Sequence, residues 1–342
     1  MNPEEAPSPV TQKDIARALG FGQATISLAL RDDPRISEAC RRQIQRTAKK
    51  MGYRPNATAT ALVHFKRTSK VKPMHAALAW MNFWEQPKEL RKRMEFDGYW
   101  RGAVAAADKF GYRLEEFAGA ELPLDRIEKV LTARNMNGIL LPPHPVPPKW
   151  DTFNWNRFSI VRFGRSVQRP TAHLVTADQV ANTIMAFNEM SARGYERIGF
   201  VTSPSSYLLF DAGFLKAQRA IDSKSRVSIL EINWRDPWPH LPELNRWLKR
   251  EKPDAVFTDV IATPDMIREC GYRIPEDIAV AATSVLDAHV DAGVYQNPEE
   301  IGRVAVLLLI SLIHDNDRGE QKLFREVLVK GKWVDGKSLP KR

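Results

Sequence analysis

Residues 20–30 read GFGQATISLAL. Gln23, Thr25 and Ser27 carry uncharged hydrogen-bonding groups, and Ala24 and Leu28 are apolar neighbours. A glutamine amide presents a donor beside an acceptor, which fits the paired groups on the major-groove edge of adenine, and small apolar side chains contact a thymine methyl. Arg31 and Arg35 follow the run. Cations in such flanking places are read as phosphate contacts, which position a protein on DNA without reading its sequence.

Catalytic chemistry finds no comparable support. The chain has no G-x-S-x-G, G-x-x-x-x-G-K-[ST], G-x-G-x-x-G or H-E-x-x-H motif, so the usual nucleophile, phosphate and zinc signatures are missing. Its seven histidines never pair at ligand spacing, and neither of its two cysteines has a histidine nearby in sequence. The reading is of a protein that is not an enzyme and needs no cofactor or metal.

The elements that would hold the polar run are short. Thr11 is placed to cap a helix with Asp14 as its N3 partner, and Ile15, Ala16 and Leu19 share the inner face. Gly20 or Gly22 ends it. Ala24, Ile26, Ala29 and Leu30 form a second stripe, and Ser37 opens a third helix with Ile44, Ala48 and Met51 inward. Two helices joined by a glycine turn are the helix-turn-helix pattern, whose second helix enters the major groove.

Charge agrees. Of a formal net charge of +10, residues 1–72 hold +8 and residues 73–342 only +2. A basic module on a near-neutral body is the footprint of a polyanion-binding head. With 342 residues and two cysteines the chain is expected to have several domains in a reducing cytoplasm. The start MNPEEAPSPV has no apolar core of a signal peptide, and the longest apolar run, VAVLLLISLI, is too short to span a bilayer; no membrane partner is expected.

After Tyr53 come Pro55, Asn56 and ATATAL, too small and polar for a stable isolated helix. In order and spacing VTQKDIARALG, ATISLAL, PRIS and GYRPNATATAL resemble the headpiece of LacI/GalR-type bacterial transcription regulators. The resemblance implies a hinge that folds only on operator DNA, with Asn56 its cap, Ala59 its small contact residue and Leu62 the wedge at the centre of the minor groove. Coupling folding to binding gives a weak helix a use. The implied DNA-facing set is Thr11, Gln23, Ala24, Thr25, Ser27, Leu28, Arg31, Arg35, Tyr53, Asn56, Ala59 and Leu62. Leu28 and Arg31 stand where the family commonly has Arg and Asn, which implies a different operator preference.

From residue 74 on, strand-like and helix-like runs alternate, from MHAALAWMNF to NPEEIGRVAVLLLISLIHDND. Such alternation predicts parallel sheets, and its length predicts two lobes. GYERIGFVT, KPDAVFTD, GYRIPEDIAV and QNPEEIGRVAVLLL resemble the family's effector-binding core, a periplasmic-binding-protein-like pair of lobes. The expected organisation is a flexible tail at 1–9, the helix-turn-helix domain at 10–55, hinge and linker at 56–73, and a core at 74–342. Within the core, lobe 1 is placed at about 74–166 and 297–330 and lobe 2 at about 167–296, with crossings near 164–172 and 292–298. The rival from the same core fold, a solute-binding protein for uptake, is disfavoured by the basic headpiece.

The resemblance implies a homodimer on a pseudo-palindromic operator, repression as the default, and a small-molecule effector in the cleft. Cleft-facing candidates are Asn82, Trp84, Arg165, Tyr207, Phe210, Asp211, Asp259 and Gln296. Sugar-binding members usually have Arg in the place of Phe210 and GFDD where ATSV (282–285) stands here; these replacements argue against a simple sugar. The C-terminus lacks leucine heptads, so no tetramer-forming tail is expected.

Overall fold

The computed structural model describes residues 10–30, 33, 35–53, 76–205 and 208–342. The first unit holds α1 (Gln12–Leu19), α2 (Gln23–Ala29) and α3 (Glu38–Lys50). The Thr11 N–H and hydroxyl both donate to the Asp14 carboxylate, at 2.9 and 2.7 Å, fixing the start of α1. Gly20 closes it at φ +70°, a left-handed conformation that glycine adopts without strain. Ile15, Ile26, Ala29, Ile44 and Ala48 make a small core. Ala24, placed by spacing on the inner stripe of α2, is exposed instead; the stripe runs through Ile26 and Ala29, one turn apart.

The other described residues form two six-stranded sheets flanked by helices. The first has the order β11-β5-β4-β3-β1-β2, with β1 (Ala76–Asn82), β2 (Tyr112–Ala118), β3 (Gly138–Leu141), β4 (Ser159–Phe163), β5 (His173–Ala177) and β11 (Glu326–Val329). The second has the order β12-β10-β9-β8-β6-β7, with β6 (Ile198–Thr202), β7 (Ile229–Glu231), β8 (Ala255–Thr258), β9 (Ala279–Ala282), β10 (Gly293–Tyr295) and β12 (Lys332–Val334). All neighbours run parallel except β10 and β12. Strand β12 follows β11 by two residues and enters the other sheet, where it runs against β10.

Among the described residues, eight further α-helices flank the sheets: α4 (Pro87–Lys92), α5 (Met94–Lys109), α6 (Leu124–Ala133), α7 (Gln179–Ala192), α8 (Phe210–Gln218), α9 (Leu241–Glu251), α10 (Thr263–Glu269) and α11 (Pro298–Asp315). The apolar run of α11 is buried in the first lobe, where Ile301, Ala305, Val306, Leu309 and Leu312 join Leu78, Leu140, Val161 and Val175. Helices α5 and α11 approach backbone to backbone. A Cβ on Gly102 would lie 1.9 Å from the Glu299 carbonyl oxygen, and one on Gly302 2.1 Å from that of Tyr99.

The chain passes between sheets at 177–179, 295–298 and 329–332. The first passage is a correction: 164–172 was expected, but β5 pairs with β4 and β11 in the first sheet. HLVTA is short, carries two polar residues and has no helix between it and β4, so the alternation rule passed over it. The three passages are knit together. Asp178 N–H donates to Val329 O at 2.9 Å, Gly331 N–H to Asn182 Oδ1 at 2.8 Å, and Asn297 Nδ2 to Lys330 O at 2.7 Å.

Candidate functional site

In the headpiece Gln23 and Ala24 are exposed on the first turn of α2, and Thr25, Ser27 and Leu28 are half-buried beside them. Thr11 lies at the start of α1. Tyr53 packs against the core, and its hydroxyl accepts from Gln12 Nε2 at 3.1 Å. Arg35 is exposed and held by Asp33, with Nε to Oδ1 at 2.9 Å and the second nitrogen to Oδ2 at 2.8 Å. This fork pushes the Asp33 carboxyl down to about 2. Any phosphate contact by Arg35 is therefore shared with an internal carboxylate. Arg31, Asn56, Ala59 and Leu62 lie outside the described residues.

Both sheets reverse strand order, the first between β1 and β3 and the second between β6 and β8. Loops at the C-terminal ends of such strands diverge there and leave a crevice. A cavity of about 280 Å³ is lined from both lobes at these points. In the first lobe Trp84 follows β1, and its indole N–H donates to Pro143 O at 2.7 Å. His144 follows β3; its Nε2 accepts the Phe83 N–H at 2.9 Å, and its Nδ1 lies 2.7 Å from Pro142 O. The ring is thereby neutral with the proton on Nδ1, and burial pushes its pKa down to about 4. In the second lobe the Ser203 N–H after β6 donates to Asp259 Oδ1 after β8 at 3.0 Å. Asp259 Oδ2 is buried and makes no hydrogen bond, and burial pushes the carboxyl up to about 7.

The walls are aromatic and acidic. Trp84 and Phe96 pack edge to face and Phe96 and Tyr99 tilted along one side, with centroids 6.2 and 5.8 Å apart. Glu95 accepts from Tyr99 OH at 3.0 Å; burial foremost, with Asp287 nearby, pushes it up to about 7. Phe210 takes the opposite wall and is buried with Phe200 and Phe214. Gln296 is fixed by its amide on Thr283 O at 2.8 Å. Arg165 forks onto Glu326 with two contacts of 2.7 Å, leaving its buried Nε without a partner.

Five of the eight expected residues thus line the cavity: Trp84, Arg165, Phe210, Asp259 and Gln296. Asn82 and Asp211 do not. Asn82 is buried at the end of β1, bonded to Pro87 O at 2.9 Å and Glu116 at 2.8 Å, and its Oδ1 accepts the Trp84 N–H at 3.0 Å. It shapes the turn that presents Trp84. Asp211 sits exposed in the first turn of α8, one residue beyond Phe210 and so on another face. Tyr207 lies outside the described residues. Glu95, Tyr99, His144, Ser203, Trp234 and Asp287 were missed. His144 and Ser203 carry a usable signal, since each closely follows a strand at the reversal point; the others sit on loops or a helix start with no periodic mark.

A helix-turn-helix head and a two-lobed core with an aromatic cleft define a DNA-binding protein that also holds a small molecule. Residues 11–56 match the model of bacterial regulatory proteins of the lacI family, and residues 187–339 that of a periplasmic binding protein-like domain. The HTH-type transcriptional regulator MalR of Streptococcus pneumoniae is 22% identical over 336 residues, covering 94% of this chain and 98% of the relative. The solved complex of transcriptional regulator CelR with cellobiose is 21% identical with a TM-score of 0.54, covering 96% and 99%. The lac repressor dimer bound to operator and the anti-inducer ONPF is 17% identical with a TM-score of 0.53, covering 97% and 100%. The chain belongs to the LacI family of transcription regulators and acts by sequence-specific DNA binding. Among the described residues, no helix is long and apolar enough to cross a membrane.

Proposed function

We propose that this chain is a cytoplasmic, homodimeric repressor that binds a pseudo-palindromic operator and is controlled by a sugar-type effector in the cleft. The carrying observation is a cavity lined by Trp84, Phe96 and Tyr99 from the first lobe and by the Asp259 carboxyl from the second. An aromatic face takes the C–H side of a sugar ring, and a carboxyl oxygen takes its hydroxyls. This revises the expectation against a sugar. Phe210 and the ATSV turn remove the usual grips, but Asp259 and Glu95 supply hydroxyl acceptors in other places. The CelR–cellobiose complex and a solved maltose operon repressor of similar fold support that class.

On the DNA side Gln23, Ala24, Thr25, Ser27 and Leu28 read bases from α2. Arg31, Arg35, Thr11 and Tyr53 position the head, and Asn56, Ala59 and Leu62 form the hinge. Selection of bound oligonucleotides by the full chain, followed by titration with maltose and cellobiose, tests the whole reading. A twofold-symmetric site whose occupancy changes with either sugar is expected. An asymmetric half-site as the best ligand would sink the dimer, and indifference to both sugars would sink the effector class.

A further inference from the structure

One carboxylate in the cleft is spent on the protein itself. Asp287, on the loop between β9 and β10 of the second lobe, reaches the start of α5 in the first. Its Oδ1 accepts the Met94 N–H at 2.8 Å and its Oδ2 the Glu95 N–H at 3.2 Å. The sixteen-residue α5 points its positive end at the cavity, and two of its free N–H groups are consumed by this one side chain. Arg93, which precedes α5 and lines the same cavity, makes no ion pair among the described residues. A helix start beside an unpaired guanidinium is what a phosphate or carboxylate ligand would use.

We infer that Asp287 is a specificity-determining residue: by filling the α5 terminus as an internal anion, it reserves the cleft for uncharged effectors and excludes phosphorylated or carboxylated ones. The inference rests on the cleft being the effector site. The remaining charges act in the same direction. Glu95 and Asp259 supply no positive charge in either protonation state, Arg165 is matched by Glu326, and His144 is held neutral by its two contacts. An incoming anion must compete with a tethered carboxylate whose effective concentration is on the order of millimolar or above. It must also separate the two lobes that Asp287 joins.

The test uses the full chain and inorganic phosphate at millimolar concentration, with chloride at equal ionic strength as reference. The readout is tryptophan fluorescence, to which Trp84 and Trp234 in the cavity wall contribute. Wild type is expected to show no saturable response. Asp287→Ala is expected to gain one, at least about tenfold tighter than any wild-type response, and Arg93→Ala added to it is expected to abolish the gain. Where Asp287→Ala does not fold, Asp287→Asn decides, since it keeps an acceptor but removes the charge and should gain a weaker response. Saturable phosphate binding by wild type that Arg93→Ala removes would overturn the inference, as would the absence of gain in every folded Asp287 variant. Failure of maltose and cellobiose to bind would count against the sugar reading alone, because the phosphate comparison needs no sugar.

Discussion

Two kinds of polar side chain are proposed to meet DNA in this headpiece, and their surroundings differ. Gln23 is exposed, and Arg35 is clamped by Asp33. Gln23→Ala should cost about 1–3 kcal/mol on the preferred site and relax choice at one base pair per half-site. Asp33→Asn should instead release Arg35 and tighten binding on all sequences alike, with a steeper salt dependence. Binding isotherms on a sequence library at several salt concentrations distinguish them; a sequence-dependent effect of Asp33→Asn would remove Arg35 from the positioning role. In the cleft, Asp259 is held near 7, against an ordinary carboxyl value of about 4. The folded state favours its protonated form, so the stability it contributes is full below about 4 and is lost as pH rises through about 7. His144, pushed down to about 4, acts oppositely and loses its contribution as pH falls. Chemical unfolding of wild type and Asp259→Asn across this window isolates the carboxyl: wild type should lose stability relative to the variant between pH 4 and 7. A pH-independent difference would mean that Asp259 is solvated and ionised throughout.

At the scale of elements, periodicity worked where an element was long or its ends were chemically marked. The Thr11–Asp14 cap and the Gly20 stop bound α1, and α11 was visible as an apolar run with Pro298 at its start. The strands that escaped are β5, β10, β11 and β12, of three to five residues. They are the segments next to the lobe passages, where no crossover helix punctuates the sequence and a strand of three to five residues is too short to display a period. The cleft was half legible for the same reason. Trp84 and Asp259 follow recognisable strands, whereas Glu95 and Asp287 meet only because two lobes face each other, and no local pattern records that. Close packing of helices was equally silent: Gly102 reads as one small residue in GAVAAADK. Its Cα faces the Glu299 backbone with no room for a methyl, so Gly102→Ala should destabilise the first lobe by about 1–3 kcal/mol despite the better helix propensity of alanine. A thermal midpoint equal to or above wild type would show that α5 and α11 can part without loss.

At the scale of the molecule, effector and operator are coupled only if cleft closure alters the relation between the two lobes, and the passages between the sheets are where that relation is held. Asn182 is buried at 3% exposure, and its Oδ1 accepts the N–H of Gly331 on the last passage. It touches neither the cavity nor the headpiece. Asn182→Ala leaves that N–H without its acceptor, which should cost about 1–3 kcal/mol of stability. The sharper expectation concerns linkage. If the passages act as a two-state hinge, loosening them should shrink the factor by which a cleft-bound sugar changes operator affinity, with each ligand's own affinity little altered. That factor must be the same whether operator is titrated at fixed sugar or sugar at fixed operator, which gives an internal check on the measurement. Calorimetric titration in both orders, with wild type and Asn182→Ala, supplies the numbers. A variant that is less stable but keeps the full coupling factor would show that the knit passages only support the fold, and that the signal reaches the headpiece through the packing of α5 against α11 instead.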